Sequence, residues 1–324
     1  MLGTSVKGPE SHDMSSTAAG RPLDEPFLTY FDTPLADGVL SVACSGPQAA
    51  GTPVVLALHG MTGTHMVYRT LARELGARPA PVRLLVPDLR GRGSSAQLPP
   101  PYGMDAHVDD MMAVLDHAGV DRAVVVGHSM GCNFAARLAA DHPERCAAIL
   151  LLDSGVPLVS ETVVWGDGTE DTEPHGIFDR FDATFANAEE YLQGWREHPA
   201  LKAVWDDDIE VFVRHDFVED ANGARCVANL DAVLTDVNDL LFDARTWKAV
   251  TRVRAPVRLM RAERGMHDDH PLIPLPELQG FLEENPHVSV DLVPGVNHFT
   301  LLIGGGDGPR RVADAVSELV ALEH

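Results

Sequence analysis

Lysine is nearly absent from this chain: it stands only at positions 7, 202 and 248. Every other basic side chain is arginine, which points to coding bias rather than to function. Positive charge as a whole is scarce, and the formal net charge is -23. Such a surface repels nucleic acid and anionic membranes, so neither is expected as a partner. There is no apolar run near the ~18–20 residues that cross a bilayer. The opening MLGTSVKGPESHDMSS has neither the basic region nor the apolar stretch of a secretion signal, and the expectation is a cytoplasmic protein. Cysteine is sparse too. Cys44, Cys132, Cys146 and Cys226 are scattered without a CxxC pair, which argues against a disulfide framework or a zinc site and for reduced thiols.

What is present is strand–helix alternation. Residues 1–24, rich in Ser, Thr, Gly and Pro, read as a flexible tail. Short apolar runs follow at 54–58, 82–86, 123–126, 147–152 and 257–260, and 288–292 alternates in the manner of a last strand. Helical patterns fall at 66–75, 106–117, 132–141 and 309–322. This order predicts an α/β fold: a doubly wound, mostly parallel sheet with helices on both faces. At 324 residues the chain suits one core carrying an insertion. The core is assigned to 25–155 and 248–324, and a helical cap to 156–247, above the carboxyl ends of the strands where open sheets bind ligands. Within the cap, FANAEEYLQGWREHPAL and DDDIEVFVRHDF read as helices, and a polar loop spans 166–176.

Three segments carry chemistry. In AVVVGHSMG, Ser129 lies in G-x-S-x-G between an apolar strand and a helix, the context in which a tight turn projects a nucleophile. Gly127 and Gly131 would then stand where a side chain clashes, and the helix amino end would favour developing negative charge. His128, beside it, is expected to point away and to pack. In VVLALHGMTG, the turn after the first strong strand would leave the Met61 N–H free; with the Met130 N–H it would form an oxyanion hole, while His59 braces the loop. In VSVDLVPGVNHFTLL, His298 follows the last strand and is the candidate general base, which gives the order Ser, acid, His. The acid is open between Asp153, which ends AAILLLDSG, and Asp268 or Glu263 in PVRLMRAERGMHDD, with Asp269 beside them. His267 and His270 form H-x-x-H next to Pro271, a poor metal site. No metal or cofactor is expected.

With these residues in hand, the chain resembles the α/β-hydrolase fold superfamily, in its serine-nucleophile branch with a helical cap after the sixth strand. DLRGRGSS at 88–95 is similar to the D-x-R-G-x-G-x-S loop of that branch, and the likeness covers 54–154 and 255–323. Members usually carry the acid about nine residues after a proline like Pro256; here that position is Gly265. Members lacking it there place it at the site matching Asp153, so the resemblance favours Asp153. Serine at the elbow, where dehalogenases and epoxide hydrolases of similar architecture have aspartate, implies ester, lactone, thioester or activated amide hydrolysis, or carbon–carbon cleavage. Acyl transfer, or a ligand-binding or signalling protein with weak hydrolysis, are the other readings. Trp165, Trp195, Trp205 and Trp247, with six of the eleven phenylalanines, fall in the cap and suggest an apolar small-molecule substrate, or simply the cap's own core. A homodimer is left open.

Overall fold

The computed structural model describes residues 26–27, 29–157, 181 and 183–322. The expected tail, the polar loop at 166–176 and Trp165 lie outside them. An eight-stranded sheet has, in spatial order, β1 (Thr29–Leu35), β2 (Gly38–Ser45), β4 (Arg83–Pro87), β3 (Val54–Leu58), β5 (Ala123–His128), β6 (Cys146–Leu152), β9 (Val257–Arg264) and β10 (Val288–Asn297). Its parallel body consists of β3, β4, β5, β6, β9 and β10. All residues of β3, β5 and β6 are buried, as expected of strands covered on both faces. The strands read from the apolar runs are these six, most of them extended by a few residues.

Alternation along the strands sorts side chains to two faces. Val55, Ala57, Val124 and Val126 join one core with α1 (Arg69–Gly76) and the terminal helix α8 (Asp307–Ala321). Leu56, Leu58 and Val125 join the other, with α2 (Met104–His117) and α3 (Gly131–Asp141).

The apolar runs do not predict the antiparallel hairpin of β1 (Thr29–Leu35) and β2 (Gly38–Ser45), which adds the sheet edge through β2 against β4. Its signal was Asp37-Gly38 between two strand-like runs, where Gly38 opens β2 opposite Leu35. Also missed was α7 (Leu275–Glu284) between β9 and β10.

Beyond β6 lie α4 (Ala188–Arg196) and α5 (Asp207–Arg214), each N-capped by a side chain, Asn187 and Asp206. The expected helix over DDDIEVFVRHDF ends at Arg214; the following residues form a hairpin, β7 (Phe217–Asp220) and β8 (Gly223–Cys226). The helix is thus three residues shorter at its carboxyl end than the pattern predicts. The tight turn at Asp220–Gly223 favours a hairpin because Gly223 takes φ +117°. Helix α6 (Leu230–Phe242) then returns the chain toward the core.

Candidate active site

Strand β5 ends at His128, and the next residue, Ser129, has φ 56°, a left-handed conformation that costs a non-glycine residue about 1–3 kcal/mol. The flanking glycines are dictated by backbone. A Cβ on Gly127 would lie 2.3 Å from the Gly131 carbonyl oxygen, and one on Gly131 would lie 2.1 Å from that of Leu58. Ser129 N–H donates to Leu152 O at 3.1 Å, which ties the turn to the end of β6. Ser129 is half-buried and stands at the amino end of α3. Cys132, one turn on, is fully buried; burial pushes its thiol up, so it stays protonated and unreactive.

The turn after β3 packs against this elbow. A Cβ on Gly60 would lie 2.9 Å from Ser129 Cβ. The Gly60 carbonyl accepts from His59 Nδ1 at 2.8 Å and from Gly63 N–H at 3.2 Å. In a trans peptide the N–H lies opposite the carbonyl, so anchoring Gly60 O aims the Met61 N–H the other way. No acceptor among the described residues takes the N–H of Met61 or of Met130. His59 is itself fixed, because its Nε2 accepts the Leu89 N–H at 2.9 Å. Tyr68, unnoticed in the sequence, lies fully buried beneath and donates to Leu58 O at 2.8 Å.

His298 follows β10 and is buried. Its Nδ1 donates to Asp153 Oδ2 at 2.8 Å. That bond fixes the tautomer and leaves Nε2 as the acceptor. Asp153 is fully buried at the end of β6, with φ 55°, and its other oxygen accepts the Ala262 N–H at 2.9 Å. The other acid candidates do not bond to His298. Asp268 Oδ1 takes Arg264 Nε at 2.6 Å and Asn297 Nδ2 at 2.8 Å; burial raises its pKa, but these two donors hold it below the usual carboxylate range. Glu263 is exposed and accepts the Gly295 N–H at 2.6 Å. Asp269 is exposed. Gly265 has a physical reason: a Cβ there would lie 2.2 Å from the His270 carbonyl oxygen, so the common acid position cannot carry a side chain.

Two residues steady the His298 loop. Asn297, also unnoticed in the sequence, accepts from the Phe299 and Thr300 N–H groups with its Oδ1 and donates from Nδ2 to Ala200 O at 2.8 Å. His128 does more than pack: its Nε2 donates to His298 O at 2.9 Å, with the two rings 4.7 Å apart. No hydrogen bond joins Ser129 Oγ to His298 among the described residues. His267 stacks on His198, and no group of three or more metal-ligating side chains occurs among the described residues. Nor is any helix there long and apolar enough to cross a membrane.

Apolar side chains flank the site. Met61 packs against Ala228, Val233 and Val237 of the inserted segment. Trp195 meets Phe299 edge-on at 6.1 Å, and Phe299 in turn meets His298. Trp205 is partly buried against the core, whereas Trp247 is exposed.

The alpha/beta hydrolase fold family model matches residues 53–222, more than half of the chain. The chain belongs to this family. The α/β-hydrolase is similar to the lipase LipV of Mycobacterium tuberculosis, at 34% identity over 176 residues, 52% of this chain. It covers 62% of that lipase's own length, less than two thirds. Among solved structures it is similar in fold to E-2-(acetamidomethylene)succinate hydrolase (TM-score 0.70, 18% identity, 90% of this chain and 100% of that one). It is similar also to a thioesterase domain from the curacin biosynthetic pathway (TM-score 0.69, 17% identity, 89% of this chain and 99% of that one).

The histidines that brace this α/β-hydrolase set a stability profile. Burial pushes His59 down to about 4 and, helped by the neighbouring His298, His128 down to about 3. Each is neutral when folded but gains a proton near pH 6.5 when unfolded, so the unfolded chain binds more protons below that pH. Their contribution is complete above about pH 6.5 and is lost as pH falls toward 4, at up to about 1.4 kcal/mol per pH unit for each histidine. Urea midpoints should therefore drop between pH 6.5 and 5, and His128→Gln should make the drop shallower. An unchanged slope in that variant would remove His128 from the account.

Proposed function

We propose that this protein is a serine hydrolase that cleaves an ester, lactone or related carbonyl substrate through an acyl-enzyme. Ser129 is the nucleophile, His298 the general base and Asp153 the acid, and the N–H groups of Met61 and Met130 form the oxyanion hole. The observation that carries this reading is the buried 2.8 Å bond between His298 Nδ1 and Asp153, held one strand away from the left-handed Ser129.

In the proposed mechanism, Ser129 Oγ attacks the carbonyl carbon while its proton passes to His298 Nε2. Asp153 stabilises the resulting imidazolium and does not itself take the proton. The two amides receive the charge on the carbonyl oxygen. Collapse expels the leaving group, which takes the proton from His298. Water then attacks the acyl carbon, again giving its proton to His298, and Ser129 is regenerated. Ser129 and His298 close to hydrogen-bond distance as substrate enters, since such bonds are commonly long before substrate binds. The similarity to a lipase and the apolar flanks at Met61 and Phe299 support an apolar acyl or alcohol group, with residues 156–247 as the cap over it. The four cysteines are free, as suits a reducing, cytoplasmic setting. Acyl transfer and carbon–carbon hydrolysis would use the same first step, and no observation favours them.

Turnover of p-nitrophenyl esters tests the roles. Ser129→Ala should lose at least about a thousandfold while staying folded. Asp153→Asn keeps the size but loses the charge that holds the tautomer; the corresponding change in a serine protease costs about ten-thousandfold. Asp268→Asn and Glu263→Gln should cost far less than Asp153→Asn. A crippled Asp268→Asn beside an active Asp153→Asn would overturn the acid assignment.

A further inference from the structure

The loop DLRGRGSS holds a cation that the mechanism does not use. Arg92 is fully buried, and so are Asp236 of α6 and His107 of α2. Arg92 Nη1 pairs with Asp236 Oδ2 at 2.5 Å and donates to Arg90 O at 2.9 Å. The same carboxylate oxygen takes His107 Nε2 at 3.0 Å, and Oδ1 takes the Gly103 N–H at 2.9 Å. One turn along α6, Asp239 accepts the Met104 N–H at 2.9 Å, so two carboxylates of one inserted helix dock the start of α2. The loop and α6 are in close contact: Asn229 N–H donates to Gly91 O at 2.8 Å, and a Cβ on Gly91 would lie 2.5 Å from Ala232 Cβ.

The remaining bond from Arg92 gives this cluster its meaning. Its Nε donates to Met61 O at 2.8 Å. The peptide before Met61 is anchored at Gly60 O by His59, and the peptide after it is anchored at Met61 O by Arg92. The Met61 N–H lies in the first of these planes, and holding the second plane at their shared Cα restricts φ and ψ of Met61 so that the first cannot turn away. As a stability device the pair is poor, because apolar replacements of buried ion pairs are often neutral or stabilising. Arg92 Nη2 is moreover buried without a partner among the described residues, an added cost. A fork reaching Met61 O, Arg90 O and Asp236 together, however, only arginine can supply.

We propose that Arg92 and Asp236 are positioning residues, a buried latch through which helix α6 sets the Met61 N–H for the oxyanion. This rests on the serine-hydrolase reading. Seating of the inserted segment over the site thereby becomes a condition for full oxyanion stabilisation. With Asp236 removed, the guanidinium loses its counter-ion, and its hold on Met61 O loosens.

The test compares wild type with Asp236→Asn, Arg92→Lys and the double variant Arg92→Met/Asp236→Leu. Three readouts are taken: kcat and KM for p-nitrophenyl butyrate, inhibition by an alkyl trifluoromethyl ketone that adds to serine as a tetrahedral oxyanion, and inhibition by the matching secondary alcohol, which cannot add. All three variants should lose kcat by roughly tenfold to a hundredfold, with KM within about threefold, because the loss is in the transition state. Ketone affinity should fall by a similar factor, while alcohol affinity holds. The double variant removes both charges of the pair together and should melt no lower than the Asp236→Asn protein, yet its kcat should not recover. A double variant with kcat restored would overturn the latch, as would ketone and alcohol affinities falling in parallel, since either outcome is what a merely structural pair would give. If wild type fails to bind the ketone, or Ser129→Ala binds it equally well, the serine-hydrolase reading itself fails and takes the latch with it.

Discussion

The arrangement depends on one buried hydrogen bond, between His298 Nδ1 and Asp153. An imidazole and a carboxylate held without water are costly to bury apart, so the elements that carry them must meet in one register. Strand β6 delivers Asp153, whose backbone N–H bonds Met260 O on β9, and whose free oxygen takes the Ala262 N–H from the same strand. Strand β10 delivers His298 from beyond β9. The bond thus spans three neighbouring strands, and sheet register is what fixes it. The elbow is attached to the same place through Ser129 N–H and Leu152 O.

Around this bond the site is framed by neutral polar side chains that act on backbone. His59 aims one peptide, Tyr68 holds the end of β3, His128 holds the carbonyl of His298, and Asn297 closes the following turn while reaching Ala200. Burial keeps His59 and His128 uncharged, which suits them to donate to carbonyls without adding a competing cation. Among the described residues, the buried carboxylates near the turn after β3 are hydrogen-bonded. Asp88 accepts from His65 and the Ser94 N–H, and Asp236 accepts from Arg92.

The parallel strands and the elbow were legible because both depend on local pattern: continuous apolar runs for strands buried on both faces, and glycines where backbones touch. Asp153 could be preferred to Asp268 because Gly265 left no side chain at the common position, and the 2.2 Å approach of His270 O supplies the cause. The edge hairpin β1–β2 was harder to read, since many of its side chains are exposed and its apolar pattern is diluted. The hairpin β7–β8 follows a helix whose apolar spacing runs on into Phe217, so only the turn chemistry marks the change. Tyr68, Asn297, Arg92 and Asp236 act through contacts with residues distant in sequence. Arg92 and Asn297 lie in segments that stand out, but their own roles do not show there, and nothing in the neighbourhood of Tyr68 or Asp236 distinguishes them from ordinary residues.

The proposed mechanism requires Ser129 to be an activated nucleophile. Intact-mass analysis after treatment with a fluorophosphonate, followed by peptide mapping, tests it most directly. One adduct is expected, on the peptide containing Ser129, absent in Ser129→Ala and strongly slowed in His298→Ala and Asp153→Asn. No adduct on the folded protein, or an adduct that survives in Ser129→Ala, would contradict it.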